Sequence, residues 1–78
     1  MLSMSRIEFS YETEEKAELI AELLEIDNKV APRKLKIETF SEGKKVITLV
    51  EHTKISTLAA TLEDLIFTEK LISQVMEL

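Results

Sequence analysis

The hydrophobic positions of this chain change period along its length, and each change marks an element. Residues 5–11, "SRIEFSY", alternate strictly: Ile7, Phe9 and Tyr11 fall on one side, Arg6, Glu8 and Ser10 on the other. A period of two is that of a half-buried strand. Thr13 then has the chemistry of a helix N-cap, with Glu14 and Glu15 in the first turn, where the helix dipole favours anions. Helical spacing runs to about Ile26, and Asp27-Asn28 followed by Pro32 is expected to end the helix. Residues 34–40, "KLKIETF", alternate again, with Leu35 and Ile37 opposite Lys34, Lys36 and Glu38. Residues 41–44, "SEGK", read as a hairpin turn in which Gly43 is free to take a positive φ. Residues 45–51 are apolar on both faces, Val46 and Val50 on one and Ile47 and Leu49 on the other, as a central strand is. Residues 56–78 read as one helix without Gly or Pro, capped by Thr53 or Ser56.

The order β-α-β-β-α predicts an α+β layer, a three-stranded antiparallel sheet with two helices on one face. It matches a ferredoxin-like unit lacking its last strand. In that arrangement the third strand lies between the first and second, and the first becomes an open edge. Residues 6–10, "RIEFS", hold no Pro and no Lys to block pairing. An edge dimer through Ile7, Glu8, Phe9 and Ser10 is therefore expected, which a proline at Phe9 should break.

The helices carry more apolar surface than one sheet face needs. At about 100° per residue, Ile55, Leu58, Leu62, Leu65, Ile66, Ile72 and Met76 share the broad side of the last helix. Ala60, Phe67, Leu71, Val75 and Leu78 form a second stripe, with Asp64 within it. In the first helix Ala17, Ile20, Ala21 and Leu24 face inward, and Leu19, Leu23 and Ile26 make another line. Glu14, Glu15, Glu18, Glu22 and Glu25 keep one side wet. The second stripes either meet in a helix–helix seam, which ordinary packing allows, or form a groove for another protein's helices.

Composition narrows the chemistry. Seventy-eight residues make one small domain, 1–78, of modest stability by itself. Cysteine is absent, so disulfides and thiolate metal sites are out, and a reducing, cytoplasmic setting is expected. The opening "MLSMSR" has no apolar run of the kind a signal peptide needs, and no stretch approaches a membrane span. A net charge of −5 argues against nucleic acid as the sole ligand. His52 stands alone and reads as a surface or capping histidine; no metal or other cofactor is implied. The glutamates of the first helix lie on its wet face, and no Ser or Thr has a base partner at a recognisable spacing, so no catalytic site is expected. Six of the ten basic residues fall within 29–45: Lys29, Arg33, Lys34, Lys36, Lys44 and Lys45. They are a solubilising strand face or a contact for RNA phosphates, without the interleaved aromatics that stack bases.

One resemblance covers nearly the whole chain. "AELLEIDNKVAPRKLKIET", then a strand, then "ISTLAATLEDLI" resembles the Pcc-type small subunit of the KEOPS complex, the CTAG/LAGE-like family. The features are the helix ending near Asp27-Asn28, Pro32, Leu35-x-Ile37-Glu38, the hairpin with Gly43, and Leu58-x-Ala60-Thr61-Leu62 opening the last helix. The resemblance implies a non-catalytic scaffold. Family members dimerise and hold the catalytic, ATP-using KEOPS subunit through their two helices, in a complex that makes threonylcarbamoyladenosine on tRNA. It also implies a tRNA contact through Arg33, Lys34, Lys36, Lys44 and Lys45. The chain departs from the family pattern at Ile26, Ala59 and Glu63, where Pro, Arg and Asn are common. Those departures leave open a divergent paralogue that pairs with the standard subunit. A free-standing RNA-binding module and a small-ligand domain with a pocket between helices and sheet are the rival readings.

Overall fold

The computed structural model describes residues 2–28 and 35–76. Its elements are β1 (Ser3–Ser10), α1 (Glu14–Asn28), β2 (Lys36–Glu42), β3 (Lys45–His52) and α2 (Ile55–Met76). The sheet is antiparallel throughout in the order β1-β3-β2. The order, the central third strand and the two-helix layer agree with the sequence pattern.

Each boundary has a local cause. Thr13 is the N-cap of α1: its Oγ1 accepts from the Lys16 N–H at 3.1 Å and its carbonyl from the Ala17 N–H at 3.3 Å. The helix runs two residues past Ile26, through Asp27 and Asn28, so that pair closes the last turn. Ser41 and Glu42, expected in the turn, belong to β2 and pair with Val46 and Lys45. The hairpin loop is Gly43-Lys44 alone, with Gly43 at φ 61°. A β-carbon at Gly43 would meet no neighbour, so the backbone angle is what favours glycine there. Neither Thr53 nor Ser56 sits at the cap of α2; Lys54 does, its carbonyl taking the Leu58 N–H at 3.1 Å. His52 fixes that entry, its Nδ1 accepting from the Lys54 N–H at 2.9 Å. It is therefore a buried capping residue rather than a surface one.

The core lies between the helix layer and one sheet face. Ala17, Ile20, Ala21 and Leu24 of α1 meet Val46 and Leu65 there, with Ile7, Phe9, Tyr11, Ile72 and Met76 around them. The four α1 residues are those the pattern placed inward. On the same face Thr39 and Thr48 stand opposite each other, hydroxyls 2.8 Å apart and buried. On the other face Ile47 is nearly covered although no helix lies there, because Glu8 and Phe40 flank it across the register.

Candidate docking surfaces

The two outer strands differ in their free edges. Tyr11 N–H donates to the Lys44 carbonyl at 2.8 Å, continuing the β1–β3 register by one residue beyond Ser10 and Lys45. Antiparallel pairs alternate between hydrogen-bonded and non-hydrogen-bonded. Hence Ile7 and Phe9 turn their backbone groups toward β3, and Arg6, Glu8 and Ser10 turn theirs to the open edge. A proline at Phe9 would strike the protein's own ladder; Glu8 is the position where it would block an added strand. At the far edge of the sheet, Thr39 N–H points away from β3 and is taken at 2.8 Å by Oε2 of Glu25. That carboxylate, read from sequence as one of the wet glutamates, is half-buried and covers part of the β2 edge. One edge is guarded by α1 and the other is open.

The helices keep a large apolar surface outside the core. Leu19, Leu23 and Ile26 of α1 are exposed, as are Ala60, Phe67, Leu71 and Val75 of α2; Phe67 retains 61% of its surface. The helix seam therefore does not consume these lines. Leu78, assigned to the same stripe, lies outside the described residues. The inward side of α2 is narrower than its pattern suggested: Leu58 and Leu65 are buried, Leu62, Ile72 and Met76 are half-buried, but Ile55 and Ile66 are exposed. In the middle of that inward line stands Glu69, with 9% of its surface exposed. The Tyr11 hydroxyl is also buried, and it has no hydrogen-bond partner among the described residues. Burial, and then the Glu69 charge, push the Tyr11 phenol well above its usual range. Lys16 Nζ sits 5.8 Å from the Tyr11 ring centroid.

The match to known proteins decides the family. The family model described as "transcription factor Pcc1" covers residues 4–77. The chain belongs to the Pcc1 family. A chain of the crystal structure titled "binary complex Gon7-Pcc1" has the same fold, with a TM-score of 0.84 and 19% sequence identity over 96% of this chain and 93% of that one. No curated protein matches the sequence.

In this Pcc1-family chain the described lysines of the open sheet face do not converge. Lys36 and Lys45 lie on the open sheet face near opposite ends of the β2–β3 hairpin, about 20 Å apart at some 3.3 Å per residue. Each has a carboxylate beside it, Lys36 that of Glu51 at 3.7 Å and Lys45 that of Glu8 at 3.9 Å. Lys44 is exposed in the hairpin loop, and Arg33 and Lys34 lie outside the described residues. Arg6 also pairs with Glu8, at 2.6 Å. Among the described residues, no three His, Cys, Asp or Glu are placed to hold a metal ion, and no helix is long and apolar enough to cross a membrane. Sequence reasoning missed Glu69 and Glu25. Glu25 was among the first-helix acids read as wet, and Glu69 was given no place, although its phase, four residues after Leu65 and three before Ile72, puts it in the inward line.

Proposed function

We propose that this chain is the non-catalytic scaffold subunit of the KEOPS tRNA-modifying assembly, which makes threonylcarbamoyladenosine in the cytoplasm. In this reading it acts as one domain, dimerises through the open β1 edge with itself or a paralogue, and seats the catalytic, ATP-using subunit on its helices. The observation that carries the reading is the exposed apolar set on both helices, Leu19, Leu23 and Ile26 with Phe67, Leu71 and Val75. Six such side chains outside the core are more than a small domain leaves uncovered without use. Each Leu or Phe fully buried by a partner contributes about 1.5–3 kcal/mol, ample for a stable complex even after the entropic cost of association.

Family membership supports the assembly. The neighbouring fold's presence in a two-protein complex supports a protein rather than a nucleic acid as first partner. A stand-alone RNA- or DNA-binding role is less well served. The chain has net charge −5, and the described lysines of the open face sit beside glutamates, which offers phosphates little purchase. Contact with tRNA then belongs to the whole complex, with Lys44 as the described residue best placed to add to it. Co-expression with the catalytic KEOPS subunit, followed by co-purification, tests the reading. A stable complex is expected. Salt-dependent tRNA binding by the isolated chain with no affinity for that subunit would replace it with the RNA-module reading.

A further inference from the structure

The open edge of β1 carries its charges in an order that matches itself. Arg6, Glu8 and Ser10 turn their backbone groups outward, and Met4 continues that set. A second β1 brought to this edge by a two-fold axis runs antiparallel, with outward-turned residues facing outward-turned residues. The axis passes through one residue and its own copy, and each choice of residue sets a different charge pattern. Centred on Ile7, Arg6 faces Glu8 of the second copy, Glu8 faces its Arg6, and Met4 faces its Ser10. Centred one residue earlier, Arg6 faces Arg6 and Glu8 faces Met4. Centred one residue later, Glu8 faces Glu8 and Arg6 faces Ser10. Like charges directly opposite destabilise a strand pair, and opposite charges favour it. Registers centred on Ser5 or Phe9 set Glu8 against Leu2 or Ser10 and shorten the overlap of the eight-residue strands. Among these registers, only the one at Ile7 pairs both charges with their opposites inside the strand.

Within one chain Arg6 Nη2 already meets Glu8 Oε1 at 2.6 Å on the open sheet face. The Ile7 register adds that contact twice more across the axis, so the charges alternate in sign around a square. A guanidinium has donors, and a carboxylate acceptor sites, to serve a neighbour along the strand and another across it. On the helix face the same register sets Ile7 against its copy in a non-hydrogen-bonded pair, where side chains approach most closely, and Ser5 against Phe9. Ile7 and Phe9 are half-buried at the rim of the core, so the pairing covers surface that each chain leaves open. The opposite edge is covered at Thr39 by Glu25, which directs pairing to β1. We propose that the β1 edge is self-complementary in the register centred on Ile7, and that Arg6 and Glu8 select a second copy of this chain as its occupant. The proposal rests on the edge dimerisation of the scaffold reading and goes further, naming the partner strand, the register and the two residues that choose it.

The test uses the full chain, which has no cysteine, so Ile7→Cys and Ser5→Cys each give a single thiol. In the proposed register the two α-carbons at position 7 lie about 4.5 Å apart, inside the span of roughly 4.4–6.8 Å that a disulfide bridges. The two at position 5 are about 13 Å apart along the strands. Mild oxidation should therefore link Ile7→Cys into a dimer on a non-reducing gel and leave Ser5→Cys as single chains; any other pattern between the two would overturn the register. Separately, Arg6→Glu or Glu8→Arg alone should weaken self-association about ten-fold or more on sedimentation, whereas an equal mixture of the two variants should associate as tightly as the parent. Both side chains are solvent-exposed, so the circular dichroism signal should not change. Reversals that leave the affinity unaltered would refute the role of the charges, and so would a parent chain that stays single at high concentration, which would give the edge to a different protein. Should Ile7→Cys fail to fold, the mixed reversal pair decides. Glu8→Pro separates this proposal from the wider reading: a dimer lost in that variant, with neither linkage at position 7 nor an effect of charge, keeps the edge and rejects the register.

Discussion

Phe67 and Glu69 are two residues apart on one helix and point in opposite directions, the aromatic ring 61% exposed and the carboxylate 9%. By side-chain chemistry alone the assignments would be reversed. A helix that turns its large aromatic outward while burying a carboxylate is not arranged by apolar burial alone. That inversion ties the fold of this Pcc1-family chain to its proposed work.

Phe67→Asp or Leu71→Asp should abolish binding of the catalytic KEOPS subunit and leave fold and dimer in place. Losing one buried apolar anchor and putting a charge in its seat costs about 3 kcal/mol or more, roughly a hundred-fold in Kd. Because both side chains are already exposed in the isolated chain, the melting midpoint should hold to within about 0.5 kcal/mol of stability. Calorimetric titration beside a thermal melt reads both; normal affinity in a folded variant would refute the seat.

Self-association should be lost on Glu8→Pro, since the backbone N–H removed there faces the open edge of β1. Phe9→Pro should instead cost folding stability, about 1–3 kcal/mol for the broken ladder bond alone, because that N–H is turned to β3. Sedimentation of the Glu8 variant as a dimer of unchanged affinity would rule out the edge.

Glu25→Ala removes the acceptor of the Thr39 N–H and uncovers the β2 edge. The expected loss is about 1 kcal/mol, since water can reach an edge donor. With both edges available, β1-to-β2 pairing no longer closes at two copies, so species larger than a dimer should appear on light scattering. An alanine variant confined to the parental size would show that Glu25 guards nothing.

Much of this was legible as period. Alternation at Ile7, Phe9 and Tyr11 and the two-sided Val46–Val50 run are decided by burial over neighbouring residues, so they survive in one dimension. The inward set Ala17, Ile20, Ala21 and Leu24 was legible for the same reason. Glu25 was not legible and His52 only as one of two readings, because each role depends on a single backbone group, a strand-edge N–H for one and a turn N–H for the other. The direction of each β1 backbone group was also hidden, since it follows from the pairing register rather than from residue type. Of the docking stripe, the residues were readable but not their exposure, which needed the seam between the helices to be seen.

Tyr11 gives the stability a defined alkaline limit. Its phenol is held above the ordinary value of about 10 in the folded chain, so the neutral form is favoured by folding. That contribution is complete below about pH 10, where the unfolded chain's phenol is also neutral, and is lost as pH rises toward the folded value. It is the chain's one tyrosine, so phenolate absorbance reports it alone. The absorbance should rise only together with loss of the helical circular dichroism signal, and Tyr11→Phe should flatten the pH dependence in that range. Phenolate appearing near pH 10 in an intact fold would contradict the burial of that hydroxyl.

The most direct test of the docking surface is amide hydrogen exchange on the chain alone and bound to the catalytic KEOPS subunit. The account predicts added protection in α1 around Leu19–Ile26 and in α2 around Phe67–Val75, with the open sheet face unchanged. Protection confined to the sheet, with both helices exchanging as they do in the free chain, would contradict it.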